Sequence, residues 1–453
     1  MRNVALGVVL LSALLPAQDR FQGSVPQGQA TAEPLGLSLQ DAIARGIKTN
    51  LGPLLASEDI DSAHGSYMVA RSRVLPNIAA RIGETSQQVS LAAFGFPAFP
   101  GVPLILGPFG VFDARVAMSQ EVFNLQSHRN TKAASENVKA ARLGFDDARD
   151  TVAMVVTALY LQAVTGASRI ETERAQVALA NALYQQAVDF KKSGVVPAID
   201  VLRAQVELET QKQRLIRLEN EFEKEKLRLV RAIGLPDGQA IGLTDPLPDE
   251  KAPEVPLEKA LAEAMQGRKD YQSMAARLRA AELAERAAAA GNYPSLNFRG
   301  DFGAIGKSPI TANGTYTAGV SLDIPVFTGG RVRGEVEQAS AETRRQRAEL
   351  EDLRGRIGFE VRSALLDIRS ASDQVEVARN AVTLAKQQEA QARDRFAAGV
   401  TNNLEVVQAQ QALATANDNY LFSLYASYAA RASLARAVGG AEQTLPKLLL
   451  GAK

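Results

Sequence analysis

Two acidic residues, Asp200 and Glu405, follow glycine-containing turns that separate long helix-forming runs. Gly194 and Gly399 lie where a helix ends and the chain needs a left-handed residue. An acid in the first turn of the next helix offsets the helix dipole, and Glu405 also has the spacing of a capping box with Asn402. A second possible role arises if several copies of the chain meet at these turns, because their acids would then form a ring of negative charge that attracts cations. We favour both roles for Glu405 and the helix-start role for Asp200.

The residue types and spacings do not indicate a catalytic or metal site. The chain has no cysteine, which excludes thiolate chemistry, and its two histidines, His64 and His128, are far apart. Gly306-Lys307-Ser308 resembles the end of a phosphate loop, but Asp301 takes the first glycine position and Pro309 follows it. The 51 basic and 50 acidic residues do not favour a nucleic-acid partner. We predict a protein that is not an enzyme and has no cofactor.

The runs that flank the turns have strong helix-forming composition. Residues 126–192 and 331–398 are rich in Ala, Glu, Gln, Arg and Leu and contain no proline. Apolar residues recur in narrow stripes, such as Leu404, Val407 and Leu413, which is typical of coiled-coil neighbours. Each turn is therefore predicted to be the tip of a helical hairpin, near 193–198 and near 398–403.

The two hairpins belong to halves with the same plan, which indicates an internal duplication. Leu39 to Ala44 resembles Leu257 to Ala262, and matching positions keep a steady offset within each segment. We predict a first repeat at 37–234 and a second at 255–440. A proline-rich linker at 235–254 joins them, and a tail follows at 441–453.

Each half also contains two segments in which apolar and polar residues alternate. Tyr316, Val320 and Leu322 share one face of a predicted strand, and Thr317 and Ser321 share the other. This alternation is typical of membrane β-barrels, although a soluble, half-buried sheet has the same pattern. Four strands cannot close a barrel, so two or three copies must share one, and an aqueous lumen favours three. The strands are predicted near 76–90, 111–123, 294–303 and 315–327.

The N-terminus has the features of a signal peptide at 1–17. Arg2 precedes an apolar run from Val4 to Leu15, and Pro16-Ala17 offers a cleavage site. Because the sequence has no cysteine, we expect no lipid anchor at the mature N-terminus. Residues 18–36 are predicted to form a flexible arm. The phenylalanine- and proline-rich loop at 90–110 would lie at an outer rim, where it could narrow the mouth or pack on a neighbouring copy.

Several doubled motifs resemble the TolC-like outer membrane efflux proteins over about residues 37–440. They are the helical openings at Leu39 and Leu257, the strand entries Leu75-Pro76 and Tyr293-Pro294, and the Gly-Val tips, followed by a closing Leu434 to Gly439. The resemblance implies a mixed α/β membrane protein. A long α-helical coiled-coil barrel would join a trimeric twelve-stranded transmembrane β-barrel, to which each chain contributes four strands.

The family resemblance also implies a function and functional residues. It implies a passive exit duct of a tripartite efflux or type I secretion system, in the outer membrane with a long periplasmic extension. The partners would be two further copies, a periplasmic adaptor, an inner-membrane transporter and outer-membrane lipid. At gate positions the resemblance places Glu405, Gln408, Phe396 and Thr401, of which Gln408 replaces an acid, Phe396 a tyrosine and Thr401 an arginine. Asp200 joins the candidate gate residues because of its own position after the first tip. Adaptor docking falls on Gly194, Val195, Gly399 and Val400.

A soluble periplasmic coiled-coil scaffold is the alternative. In it, the four strands would form a small packed sheet. The row of apolar residues on one face of the strands discriminates between the two, because a soluble protein would have to bury that row.

Overall fold

The computed structural model describes residues 21–95, 97, 100–194, 196–245, 255–398, 400, 401 and 403–450. The predicted signal peptide at 1–17 lies outside the described residues. Val195, Gly399, Asn402 and residues 246–254 of the predicted linker also lie outside the described residues.

The first half alternates short elements with two long helices. Ser38 caps the first helix, because its hydroxyl accepts a hydrogen bond from the Asp41 amide at 3.1 Å. Gly234 takes a left-handed conformation just beyond the end of the last helix. The elements are β1 (Leu35–Leu37), α1 (Leu39–Thr49), α2 (Leu51–Ser72), β2 (Asn77–Ser90), β3 (Ile105–Phe123), α3 (Leu125–Lys192), α4 (Ala198–Ala232) and β4 (Ile241–Leu243).

The second half follows the same order. Its elements are α5 (Leu257–Gly267), α6 (Lys269–Ala289), β5 (Ser295–Gly306), β6 (Asn313–Asp323), α7 (Arg331–Ala397), α8 (Asn403–Val438) and α9 (Ala441–Leu450). Single 3-10 turns lie at Leu91–Phe94, Ala290–Asn292 and Pro309–Thr311. The predicted combination of long helices with a smaller number of strands is confirmed.

The chain forms two compact units, one of which contains a four-stranded sheet. This unit comprises residues 59–141 and 273–350. Its sheet has the order β2-β3-β5-β6, and every neighbouring pair is antiparallel. Among the described residues, β2 pairs only with β3 and β6 only with β5, so both outer strands have an open edge.

The other unit comprises the described parts of 1–58, 142–272 and 351–453. Its core is apolar and includes Val152, Val156, Leu229 and Ile233, each fully buried. Tyr160 lies in this core and donates a hydrogen bond to the Leu37 carbonyl oxygen at 3.0 Å. Burial raises the pKa of Tyr160 to about 12, so its hydroxyl keeps the proton that it donates.

Helix α3 contains a stretch that is long and apolar enough to cross a membrane by length and composition. Half of that stretch is buried inside the protein, and Val152 and Val156 of this helix are fully buried in the apolar core. We therefore assign it to the core, which Tyr160 and Leu161 also line.

The predicted flexible arm at 18–36 is wrong for its described residues. Phe21 is buried in the core, and the Val25 amide donates to the Thr49 carbonyl at 2.9 Å. The Asn50 amide group donates to the carbonyl oxygens of Phe21 and Ala232 at 2.7 and 3.0 Å. Composition predicted a free arm because it does not reveal these contacts with residues far along the chain.

Three predicted boundaries are also corrected. Strand β3 begins at Ile105, before the predicted start near 111, because Val89 and Ser90 continue the pairing beyond a β-bulge. Strand β6 ends at Asp323, before the predicted 327, since Pro325 has no N–H for the ladder. The predicted tail at 441–453 contains α9, which buries Leu445 in the core.

Candidate functional site

The first hairpin tip joins α3 to α4. Gly194 has a φ of +75°, and its amide donates to the Lys191 carbonyl at 3.0 Å, which ends the helix. Pro197 occupies the N-cap position of α4. A side chain at 194 would meet nothing within 4 Å, so the glycine is required by backbone conformation.

The second tip joins α7 to α8. The Val400 amide donates to the Arg395 carbonyl at 3.0 Å, which closes the end of α7, and the Val400 side chain is largely exposed. Gly399 and Asn402 lie outside the described residues, so the predicted capping box between Asn402 and Glu405 stays a prediction. In both hairpins, an acid lies in the first turn of the helix that follows the tip: Asp200 in α4 and Glu405 in α8.

Glu405 is held within its own hairpin. Its carboxylate lies 3.1 Å from the Arg395 guanidinium, and the Thr401 hydroxyl donates to the other carboxylate oxygen. The Glu405 side chain is 39% exposed, so water also reaches it. The sequence reasoning missed Arg395, because an arginine before a turn becomes the partner of an acid after it only when the hairpin forms. Thr401, at the position where the family resemblance implies an arginine, therefore contacts the Glu405 carboxylate directly.

Asp200 is buried to a greater extent than Glu405. Its side chain is 5% exposed and lies 3.2 Å from the Arg203 guanidinium, one helical turn further along α4. A carboxylate so placed offsets the positive end of the helix dipole but contacts little solvent. This geometry favours the helix-start role for Asp200. Gln408 is exposed on α8.

Phe396 lies in a buried cluster that contains residues of both hairpins. Its side chain is 2% exposed, and its ring centroid is 5.6 Å from that of Phe190, with the planes at 49°. Tilted rings at this distance attract each other. We call this the tip cluster; its members are Leu179, Leu183, Phe190, Val196, Ala392, Phe396, Val406 and Ala409.

The four-stranded sheet has one polar face, which carries a charged clamp across two strands. Arg115 of β3 lies 2.7 Å from Asp113 of the same strand and 2.7 Å from Asp301 of β5. Gly303 is directly opposite Arg115 in the register. A Cβ at 303 would overlap the Ala114 carbonyl oxygen and the Arg115 backbone. The clamp therefore depends on glycine at 303.

Replacing Gly303 with valine is expected to lower the free energy of unfolding by about 1–3 kcal/mol, the usual cost of overpacking. The added side chain must separate β3 from β5 and displace Arg115 from Asp301. Thermal unfolding measures the change. Gly319→Val is the matched control, because a Cβ at 319 of β6 has open space. Equal losses in the two variants would show that Gly303 has no special role.

The opposite face of the sheet is apolar and exposed. The register aligns Ile78 with Met118 and Phe302 with Tyr316, so apolar side chains from every strand share this face. Glu84, opposite Phe112, departs from the pattern in the middle of β2. The most exposed apolar side chains of this face are Ile78, Ile82, Phe302, Tyr316, Val320 and Leu322.

Comparison with known families decides the class of protein. A family model described as outer membrane efflux protein matches residues 55–235 and 260–440, which is more than half of the chain. The chain belongs to the outer membrane efflux protein family. The resemblance inferred from the sequence is thereby confirmed, and so is the predicted outer-membrane location. Members of this family are transport channels rather than enzymes.

Curated relatives of this efflux protein come from Pseudomonas putida. It is 24% identical over 351 residues to the pyoverdine export outer membrane protein OpmQ, which covers 73% of this chain and 71% of the relative. It is also 24% identical over 427 residues to the toluene efflux pump outer membrane protein TtgF, covering 89% of this chain and 83% of the relative.

Solved structures share the fold of this efflux protein. The outer membrane protein VceC from Vibrio cholerae superposes with a TM-score of 0.78 at 17% identity, covering 89% of this chain and 96% of that one. The CmeC outer membrane channel from Campylobacter jejuni gives a TM-score of 0.78 at 16% identity, covering 96% and 93%. At these identities, the comparison establishes the fold alone.

Proposed function

We propose that three copies of this efflux protein form one exit duct across the outer membrane and that the duct belongs to a tripartite efflux or type I secretion system. The observation that carries the proposal is the four-stranded sheet, which has an exposed apolar face, a polar face and two open edges. In lipid, an open edge leaves backbone groups without partners. Pairing β2 of one copy with β6 of the next removes both edges.

Twelve strands from three copies suit a conducting pore. Four strands per chain give eight from a dimer, a number whose interior is filled by side chains or by one small ligand. Twelve strands give a wider lumen, and the polar face with Arg115, Asp113 and Asp301 would line it. The double match of the family model supports the proposal that the two halves arose by duplication.

Exposed apolar residues on the helices also support association of copies. Leu366, Val377 and Leu384 of α7 are exposed, as are Leu202, Val206 and Ile216 of α4. Apolar residues on one stripe of a long helix are typical of coiled-coil seams. We propose that these seams pair between protomers in a periplasmic helical barrel.

The tips would face the partners in the periplasm. Val400 is exposed, and Gly194 has open space around it, which suits docking by a periplasmic adaptor. We extend the docking surface to Val195 and Gly399, and an inner-membrane transporter would deliver the cargo.

The membrane location and the oligomer are tested by one fractionation experiment on the full-length protein. We expect the protein to remain in the outer membrane after carbonate extraction and to migrate as a heat-sensitive trimer in detergent. Release by carbonate would instead support the soluble periplasmic scaffold.

Glu405 is expected to set part of the ion preference at the periplasmic aperture. Glu405→Gln should lower the cation-to-anion permeability ratio by about twofold, a modest change because Arg395 already offsets part of its charge. Arg395→Gln should raise the ratio, because it leaves the carboxylate without its guanidinium partner. Reversal potentials across a salt gradient in planar bilayers measure both changes.

Asp200→Asn is the control for this prediction. The Asp200 side chain is almost inaccessible to solvent, so the permeability ratio should stay at the wild-type value. If Glu405→Gln and Arg395→Gln both leave the ratio unchanged, Glu405 does not line the aperture.

A further inference from the structure

Near their tips, the two hairpins are joined by apolar contacts. The ion pair of Asp200 with Arg203 lies within α4, and that of Glu405 with Arg395 lies within the α7–α8 hairpin. Both pairs survive if the hairpins separate. The tip cluster, in contrast, combines Phe190 of the first hairpin with Phe396 and Val406 of the second, so separation would expose it to water.

Between the tip cluster and the apolar core, which contains Tyr160 of α3 and Tyr428 of α8, polar side chains join the hairpins. Glu207 of α4 accepts hydrogen bonds from Gln211 at 2.6 Å and from Gln411 of α8 at 3.3 Å. Arg214 of α4 lies 3.2 Å from Glu173 of α3 and also pairs with Asp418 of α8. These side chains are hydrophilic and regain water when the helices separate.

Several buried polar atoms near these contacts lack a hydrogen-bond partner among the described residues. They are Oε1 of Glu173, Oε1 of Gln211, Oε1 of Glu389 and Nε2 of Gln410. Keeping such atoms buried is unfavourable, so access of water would stabilise them. The polar contacts therefore offer weaker resistance to separation than the apolar cluster at the tips.

We propose that the tip cluster is an apolar clasp that holds the two hairpins of one protomer together in the closed duct, with Phe190 and Phe396 as its anchors. This inference rests on the proposed function of a duct gated at its tips. It assigns closure to contact between two aromatic rings, in place of the polar latch that the family resemblance implies at Phe396 and Thr401. Opening then requires the two rings to separate.

The clasp is tested by single-channel recording of the full-length protein in planar bilayers. Phe190→Ala and Phe396→Ala should each raise the open probability at least about tenfold, because each truncation removes one of the two rings that join the hairpins. The double variant should add little to the larger single effect, since both changes remove the same contact. Phe396→Leu, which keeps an apolar side chain, should give an intermediate value.

Leu413→Ala is the matched control. Leu413 is buried with Ala385 and Ala416, all within the second hairpin, so its truncation weakens packing without loosening the contact between hairpins. Its open probability should stay near the wild-type value. An equal rise in Leu413→Ala and Phe396→Ala, or no rise in either phenylalanine variant, overturns the clasp.

A cross-link provides a second test, which asks directly whether opening requires the two hairpins to separate. The chain has no cysteine, so Phe190→Cys combined with Phe396→Cys introduces the only two thiols. A short bis-methanethiosulfonate linker, which forms a disulfide with each cysteine and releases two sulfinate ions, should reduce opening below the wild-type level. A reductant, which cleaves both disulfides, should restore opening. Opening of the cross-linked duct at the uncross-linked rate contradicts the proposal.

The outcomes separate the clasp from the duct itself. If the wild-type protein opens but the phenylalanine variants and the cross-link have no effect, the duct stands and the clasp is wrong. If the wild-type protein neither stays in the membrane nor conducts, the proposed function is wrong.

Discussion

Replacing Arg268 with alanine is expected to lower the free energy of unfolding by about 3–5 kcal/mol, as when one partner of a buried ion pair is removed. The Arg268 side chain is 4% exposed, lies 2.6 Å from Asp270 and also pairs with Glu360 of α7. Its loss leaves the partly buried carboxylate of Asp270 without its main partner. Asp147 pairs with Arg436 at 2.7 Å and also interacts with the charges of Arg268 and Asp270. Removal of Arg268 would therefore also remove a favourable interaction of the Asp147 carboxylate.

An exposed ion pair between two long helices supplies the control. Arg174 of α3 lies 2.9 Å from Glu219 of α4, and both side chains are in contact with water. Arg174→Ala should change the free energy of unfolding by less than about 1 kcal/mol. Denaturant unfolding followed by circular dichroism compares the two variants. Similar losses would show that burial of Arg268 adds nothing to its ion pairs.

The pH dependence of this loss distinguishes charge from packing. Burial opposes ionisation of Asp270, but its hydrogen bonds and ion pair with Arg268 outweigh burial and lower its pKa below 3.8. A lowered pKa stabilises the fold above pH 3.8, and this stabilisation disappears as the pH falls through the folded-state pKa. The gap between wild type and Arg268→Ala should therefore be full at neutral pH and narrow in acid. A constant gap would indicate packing by the arginine stem.

Asp147 has the opposite dependence. Burial raises its pKa, and the charge of Arg436 only partly offsets that effect. A carboxyl with a raised pKa binds its proton more tightly in the folded protein than in the unfolded chain. Its contribution to the free energy of unfolding therefore falls as the pH rises through its folded-state pKa. The two acids of one cluster thus oppose each other in their effects on acid stability.

Elements with local patterns could be predicted from the sequence. The alternation of Thr317, Ala318, Gly319 and Val320 defines both faces of β6, because side chains of a strand point to opposite faces in turn. The helical tips were predictable for a similar reason, since Gly194 and Pro197 select turn and cap positions through their own backbone preferences.

Contacts between segments far apart in sequence could not be predicted in this way. Arg268 lies near a helix end, but its partner Glu360 belongs to another helix, and no local pattern joins them. The same holds for the ring pair of Phe190 and Phe396 and for the burial of Phe21. Composition reports what a segment can form alone, whereas these sites exist only after the helices pack.

A single arginine at position 320 is expected to prevent stable insertion of the sheet in the membrane. Val320 is 66% exposed and lies on the apolar face, next to Phe298 in the register. If this face contacts lipid, Val320→Arg costs about 2–4 kcal/mol per protomer near the bilayer midplane. Three protomers share one barrel in the proposed duct, so the cost is incurred three times in each trimer. We expect loss of the heat-sensitive trimer and of carbonate-resistant protein in the outer membrane.

Ser321→Arg is the decisive control, because it places the same side chain one residue further along the same strand. Ser321 lies on the polar face opposite Asn297, where an arginine would reach the aqueous lumen. This variant should assemble like the wild type and conduct, with an altered ion preference. If both variants assemble equally well, the apolar face does not contact lipid and β6 is not a barrel strand. If only Val320→Arg fails, the row of apolar residues that discriminates the duct from a soluble scaffold faces the membrane.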